Sequence, residues 1–430
     1  MKPFQATSYN LESLCCGSTY PDVNWELNCP HAHAPALIRT QYAKQQYEPS
    51  EWPGLYRFSN WLPINRILEG SAAPVTYRSE GLARELGLRN LYITFSGYWP
   101  EKGALMKTGS FKECEAYTVC ARENPYREKI MVLASAGNTA RAFAKVCSEN
   151  RIPLLICIPE DNLNALWFEK PLDRCVKIVA SEQGADYFDA IHVSNIVAGM
   201  DAFYPEGGAK NVARRDGMGT TVLSAVETIG SIPDYYFQAI GSGTGAIAAW
   251  EANLRFLADG RFGSNKMKLM LAQNEPFIPI KEAWGNRSRN LPVMDEKEAR
   301  KKALKIDAKV LSNRQPPYSL IGGLYDALTD TGCDVLSANN HETAIALSLF
   351  KKSEGIDIDL AAAVAVASLI ETAEKKKIEK DACIMLNITG GGVERFQCGH
   401  KLHFAKAEWV FPVNPDPESV RAKVSELFAM

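Results

Sequence analysis

Four short glycine-bearing segments carry residues suited to chemistry on a small anionic ligand. The first is Lys107-Thr-Gly-Ser-Phe-Lys112. A lysine that is to form an imine must lose its ammonium proton near neutral pH, and the positive N-terminal end of a helix eases that loss. The second is Ser135-Ala-Gly-Asn-Thr139, where backbone N–H groups at a helix start can bind a carboxylate and the Asn138 amide can donate to a phenolate oxygen. The third is Gly241-Ser-Gly-Thr-Gly245, whose alternating glycines let the backbone close around a phosphate at the next helix N-terminus. The fourth is Asn387-Ile-Thr-Gly-Gly-Gly392, in which the Thr389 hydroxyl can hydrogen-bond a ring nitrogen. Each one alone also reads as an ordinary turn or a solvated helix start. The third lacks the Gly-Lys-Ser/Thr ending of a Walker loop, since it continues Ala246-Ile-Ala. A dinucleotide loop stays open as a lesser reading, with Ala246 standing for the third glycine, although no second strand carrying the usual acid follows.

These segments need strand-to-helix junctions to hold them. From Val75 onward, short apolar runs alternate with longer amphipathic ones, the pattern of α/β layers around a mostly parallel sheet. The pattern predicts strands over 91–95, 130–134, 154–158, 175–179, 235–240, 268–273 and 382–388. Helices are expected over 111–122, 138–150, 220–229, 245–258, 342–355 and 361–377. Residues 1–70 hold neither period for long and read as an irregular N-terminal extension, while the mixed charges of 285–309 read as a solvated helix or surface loop.

A chain of 430 residues, 46% hydrophobic and 23% charged, has the composition of a folded protein of two or so domains and excludes a coiled coil or a disordered chain. Forty-eight basic against fifty acidic residues leave a net charge of −2, which gives no sign of a nucleic-acid or membrane-surface partner. No apolar run approaches the ~18 residues of a spanning helix. The N-terminus lacks a signal-peptide pattern and the eleven cysteines are odd in number and scattered, so a cytoplasmic location with reduced thiols is expected.

Taken in order, Lys112, Asn138, the 241–245 loop and Thr389 resemble the site of the fold-type II pyridoxal-phosphate enzymes. From about Tyr77 to Phe396 the chain is similar to the threonine synthases, and the likeness includes Glu354-Gly-Ile-Asp-Ile-Asp-Leu-Ala-Ala-Ala363. The resemblance implies an α/β fold like that of the tryptophan synthase β chain, with two interleaved three-layer domains built on open parallel sheets. A large cofactor-binding domain would span 71–99 and 206–430, and a small domain, 100–205, would carry the Lys112 helix and the Asn138 loop. Pyridoxal 5′-phosphate is the implied cofactor, with Lys112 as catalytic lysine and imine partner, and Asn138 at the ring O3′. Gly241, Ser242, Gly243, Thr244 and Gly245 would hold its phosphate, and Thr389 would face the pyridine nitrogen. A homo-oligomer is implied as well.

The departures are informative. Threonine synthases usually read Asn-Pro-Thr-Gly-Ser-Phe-Lys-Asp-Arg, where this chain has Met106-Lys-Thr-Gly-Ser-Phe-Lys-Glu-Cys114, and Arg141 stands where a small residue is usual. Two added cations suit a more anionic reactant than water, with a surface position open for either side chain. This pattern, with Leu271-Ala-Gln-Asn-Glu-Pro-Phe-Ile-Pro-Ile-Lys-Glu-Ala-Trp284, is similar to the cysteate synthases of methanogen coenzyme M biosynthesis. These replace the phosphate of O-phospho-L-serine with sulfite by β-elimination and β-addition through an aminoacrylate. The implied substrate residues are Lys107, Thr108, Ser110, Ser135, Thr139, Arg141 and Arg214, with the three cations at the phosphate and sulfite. The alternative is a threonine synthase acting on O-phosphohomoserine, one methylene longer, a difference a pocket discriminates by only ~1–3 kcal/mol. A reading of another class is a non-catalytic pyridoxal-phosphate-binding paralogue.

Cys15, Cys16, Cys29, His31 and His33 resemble a degenerate form of the zinc-ribbon-like N-terminus of some archaeal threonine synthases, where two Cys-x-x-Cys pairs bind metal. Ser13 replaces the first cysteine of one pair and Ala32 the last of the other. Tetrahedral zinc wants four ligands, so the expectation is a structural lobe without metal.

Overall fold

Strands buried on both faces of a sheet must be apolar throughout, and the runs picked out above become such strands. The computed structural model describes residues 3–23, 25–31, 33–124, 128–135, 137–314 and 316–428; Ala32 and Ala136 lie outside the described residues. The larger sheet has six strands in the order Asp334–Ala338, Lys268–Asn274, Tyr235–Ala239, Cys383–Ile388, Asn90–Phe95, Val75–Arg78. All neighbours run parallel except the last pair, which is antiparallel. The smaller sheet is parallel throughout, in the order Phe203–Pro205, Ile130–Ala134, Leu154–Pro159, Val176–Ser181, Trp409–Phe411.

The last strand of the smaller sheet departs from the expected range of the large domain, 206–430. Trp409–Phe411 pairs with Val176–Ser181, and Val420 and Val424 of the helix Pro417–Phe428 join the core formed by Ala190, Val193, Val197 and Phe203. The chain returns because Val176–Ser181 would otherwise leave a row of backbone groups unpaired at the sheet edge.

The described residues of 1–70 also hold more order than their pattern suggested. Tyr9–Ser13 pairs antiparallel with both Thr19–Tyr20 and Ile38–Tyr42. This small sheet docks through polar contacts onto the helix Val212–Ile229. Thr40 and Tyr42 donate to Asp216 Oδ2 at 2.7 and 2.6 Å, and the fully buried Arg215 donates to the Ile38 carbonyl and, at 2.9 Å, to Glu251. No helix among the described residues is long and apolar enough to cross a membrane.

Val212–Ile229 packs on one side against Lys112–Arg122 and on the other against Thr244–Asp259. Gly217 allows the first approach, since a Cβ there would fall 2.4 Å from the Cys114 carbonyl oxygen. Gly217→Ala therefore forces the two helices apart. We expect a loss of about 1–3 kcal/mol, read as a lower urea midpoint at unchanged slope; an unchanged midpoint would show that the contact carries no constraint.

Candidate active site

Two of the four segments are joined by their backbones. The Phe111 N–H donates to the Thr389 carbonyl at 2.9 Å, and the Gly391 N–H donates to the Gly109 carbonyl at 3.0 Å. The strand Cys383–Ile388 thus delivers Thr389, 7% exposed, beside the first turn of the helix Lys112–Arg122. The Glu354–Ala363 segment closes this junction from outside: Asp359 N–H donates to the Gly390 carbonyl at 3.1 Å, and Gly392 N–H to the Asp357 carbonyl at 2.8 Å. Asp359 also caps the next helix through Ala362 N–H at 2.8 Å. The 241–245 loop leaves the neighbouring parallel strand Tyr235–Ala239, so both loops open at the same carboxyl edge, where open sheets bind ligands. Thr244 begins a sixteen-residue helix, with its hydroxyl 2.9 Å from that of Ser242.

Lys112 and Glu115 are three residues apart and so share one helix face. Lys112 Nζ donates to Glu115 Oε2 at 3.1 Å; the lysine side chain is 22% exposed and the glutamate fully buried. The other oxygen, Oε1, accepts from Thr139 Oγ1 and from Arg214 Nη1, each at 3.0 Å. Arg214 in turn grips Glu206 with Nε at 2.9 Å and Nη2 at 2.6 Å. Burial opposes the Arg214 charge, yet the Glu115 and Glu206 carboxylates outweigh it and hold its pKa above the ordinary value.

Arg141 occupies a different place from the one its charge suggested. Its guanidinium is 5% exposed and donates to the Thr108 carbonyl through Nε at 3.1 Å and Nη2 at 2.8 Å, to the Ala165 carbonyl at 2.8 Å, and to Asn138 Oδ1 at 2.8 Å. It also stacks on Trp167 at 4.3 Å. Desolvation lowers its pKa to about 10, against the raising effect of Asp359 and Glu113. The contact with Oδ1 settles the orientation of the Asn138 amide, because the oxygen is taken and the NH2 is left to donate.

The other expected residues divide by what their polar atoms touch. Ser135 Oγ accepts from Gly137 N–H at 3.2 Å and Ala140 N–H at 3.0 Å, so its hydroxyl caps the Asn138 helix. Lys107 Nζ pairs with Glu169 Oε1 at 2.5 Å on a partly open surface, its side chain 41% exposed. Burial raises the Glu169 pKa, but the Lys107 hydrogen bond and charge hold it below the ordinary value. Thr108 Oγ1 and Ser110 Oγ are buried with no hydrogen-bond partner. Two orphaned hydroxyls beside Lys112, a hydroxyl-bearing loop at a helix N-terminus, and an amide with its NH2 free make a donor set that fits an anionic ring cofactor and its substrate.

Sequence reasoning missed Glu115, Glu113 and Glu206. Glu113 is fully buried, accepting Thr108 N–H at 2.5 Å with Lys145 Nζ at 3.6 Å. The signal was the Lys-Glu-Cys-Glu run, but acids in a first helical turn are ordinary, and their burial was not visible in the pattern. Arg141→Met leaves two carbonyls and an amide oxygen short of donors. We expect it to cost about 1–3 kcal/mol per stranded group at most, whereas Lys107→Ala, at an open ion pair, costs ~0–1 kcal/mol. Equal urea midpoints for the two variants would contradict this ranking.

The family model described as pyridoxal-phosphate dependent enzyme matches residues 76–390. The chain is 48% identical to the cysteate synthase of Methanocella paludicola, over 91% of each chain. It is 46% identical to that of Methanosarcina acetivorans, over 94% of this chain and 97% of the relative, and 43% identical to that of Methanospirillum hungatei, over 98% of each. Among solved structures, maize serine racemase has a TM-score of 0.58 at 15% identity, covering 74% of this chain and 88% of its own. A pyridoxal 5′-phosphate-dependent aspartate racemase has a TM-score of 0.55 at 16% identity, covering 74% of this chain and 90% of its own. These two likenesses bear on the fold, which is of fold-type II. With a family model spanning most of its length and full-length relatives of one kind, the chain belongs to the pyridoxal-phosphate dependent enzymes and, within them, to the cysteate synthases.

Proposed function

We propose that the enzyme converts O-phospho-L-serine and sulfite to L-cysteate and phosphate, the step that would serve coenzyme M biosynthesis. The observation that carries this reading is identity of 43–48% to cysteate synthases over nine-tenths or more of the chain. The donor arrangement supports it. When bound, pyridoxal phosphate supplies an electron sink that allows the α-proton and the β-phosphate to leave the amino acid. Asn138, its amide turned by Arg141, would donate to the ring O3′, and the 241–245 loop with its helix N-terminus would hold the cofactor phosphate. Thr389 would face the ring nitrogen; its hydroxyl is too weak an acid to protonate that nitrogen, which suits elimination over transamination.

Lys112 would take the α-proton and return one to the α-carbon after sulfite adds. Glu115 holds Nζ at 3.1 Å and aligns it. Thr108 and Ser110, their hydroxyls unpartnered, would receive the substrate carboxylate and phosphate, whereas the Thr139 hydroxyl already donates to Glu115 and would help to align it. Among the expected cations, Arg141 and Arg214 act as positioning residues, since their guanidinium groups are held by carbonyls and carboxylates. Lys107 has the exchangeable partner. Both reactants are dianions near neutral pH, and either can compete with Glu169 for it. We also infer a cytoplasmic homo-oligomer, by family resemblance.

The deciding assay follows phosphate release from O-phosphoserine and from O-phosphohomoserine, with and without sulfite, with products identified by mass. Cysteate formed from phosphoserine only when sulfite is present is the expected outcome; threonine formed from phosphohomoserine, with sulfite inert, would overturn it. In the same assay Lys107→Ala should raise the KM for the anionic reactants severalfold with kcat largely kept, and Glu115→Gln should lower kcat with KM less affected. The reverse pattern would exchange the two roles.

A further inference from the structure

The N-terminal lobe brings together a set of metal-binding atoms that its broken cysteine spacing conceals. Cys16, Cys29 and His33 each offer a ligand atom, and these lie within 4.8 Å of one another. Cys16 Sγ is 3.8 Å from Cys29 Sγ and 3.9 Å from His31 Nδ1. A tetrahedral zinc ion with Zn–S of about 2.3 Å and Zn–N of about 2.0–2.1 Å sets its ligand atoms about 3.8 Å apart for two sulfurs and about 3.6 Å for sulfur and nitrogen. The Cys16–Cys29 and Cys16–His31 spacings are close to those of such a shell, and His33 lies within 4.8 Å of both cysteines, so a small inward movement of the two histidines would complete it.

The ring of His33 is already oriented for this role. Its Nδ1 is 2.7 Å from the Ala34 carbonyl, which can only accept, so Nδ1 carries the hydrogen and Nε2 presents the lone pair. A backbone carbonyl on the far nitrogen is the usual way a ligating histidine is held. Nε2 meets Ser13 Oγ at 3.3 Å, and His31 Nδ1 meets Ser18 Oγ at 3.1 Å, so two hydroxyls line the cluster. All four side chains come from the small sheet and its adjoining loops, whose strands hold the ends of the loop in place.

We propose that Cys16, Cys29, His31 and His33 bind one zinc ion as a closed, structural Cys2His2 site. Binding releases the two thiol protons and leaves no open coordination position, so the ion takes no part in the reaction. Its effect is on the loop it closes, which carries the contacts made to the far end of the Lys112 helix. Asp22 pairs with Arg122 Nε at 2.7 Å and Nη2 at 2.8 Å, the Glu26 carbonyl accepts from Arg122 Nη2 at 2.9 Å, and Trp25 Nε1 donates to the Pro205 carbonyl at 3.0 Å. Arg122 is the last residue of that helix and also holds Asn211 Oδ1 at 2.8 Å. The ion thus fastens a clamp on the helix that carries Lys112.

The test is made on the full-length holoenzyme purified under reducing conditions. Elemental analysis should find about one zinc per chain. After chelation, added Co2+ should give the intense thiolate charge-transfer and visible bands of a tetrahedral site. Cys29→Ser should abolish uptake of either metal with the bound cofactor's absorbance retained. His31→Ala and His33→Ala should each weaken zinc binding by at least about tenfold in a chelator competition, since even outer partners of a ligand are worth that much. If Cys29→Ser fails to fold, the cobalt spectrum of the wild type and the histidine variants still decide. Wild-type protein that holds no zinc and gives no tetrahedral cobalt spectrum overturns the proposal, as does a Cys16–Cys29 disulfide found in its place. Full metal binding by His31→Ala would remove His31 from the site and overturn the four-ligand assignment.

Discussion

The candidate site depends on one buried cation. Arg141 reaches from the Asn138 helix of the smaller sheet to the Thr108 carbonyl in the loop that precedes Lys112, a loop itself bonded to the Thr389 turn of the larger sheet. Removing a charge from water is expensive, and the cost is offset only when the partners are close and complete. Here three acceptors and the face of Trp167 surround the guanidinium. The same contacts that make its burial tolerable register the two halves of the site against each other and turn the Asn138 amide.

Around that contact the charges alternate. Lys112, Glu115, Arg214 and Glu206 form a chain in which Glu115 is shared among three donors and Glu206 is gripped by a fork. On the proposed role of Lys112, the position of its amine cannot be left to a flexible four-carbon stem. Glu115 fixes its end, and Arg214 fixes Glu115. The close packing of Val212–Ile229 against Lys112–Arg122 allows this, because Arg214 and Glu115 sit on the two helices that meet at Gly217. The N-terminal lobe adds a second constraint on the same helix through Arg122, one helix length from the lysine. A chain segment outside both large sheets therefore bears on the alignment of the site.

The cations divide by partner rather than by charge. Two of the three expected at the anionic reactant are held by carbonyls and carboxylates, and of the three Lys107 is the most exposed and has a single ion-pair partner, which fits its proposed role. On the proposed function, uncharged donors would take up the remainder of anion recognition: the unpartnered hydroxyls of Thr108 and Ser110 and the backbone at helix starts. Such donors discriminate by direction rather than by charge alone, which would suit the proposed exchange of one anion for another.

The amino-acid sequence alone carried most of the strands and helices between 90 and 388 and the four glycine-bearing loops, with Lys112, Asn138 and Thr389 on them as candidates, but not the helix Tyr187–Ala198 or the first turns of Val212–Ile229. Buried parallel strands and glycine turns at their ends are local signals that need no knowledge of neighbours. It also carried the segments it did not reveal, such as Asp334–Ala338, whose mixed polar run has no strong period, and the short paired strands of the N-terminal lobe. Only the tertiary structure decided which cation meets which acceptor, that Glu115 faces Lys112, that the C-terminal strand closes the smaller sheet, and that one cysteine from each broken pair converges with two neighbouring histidines. These are pairings across tens to hundreds of residues. A side chain's partners are set by where the backbone brings it, and charge or residue type read along the chain does not contain that distance.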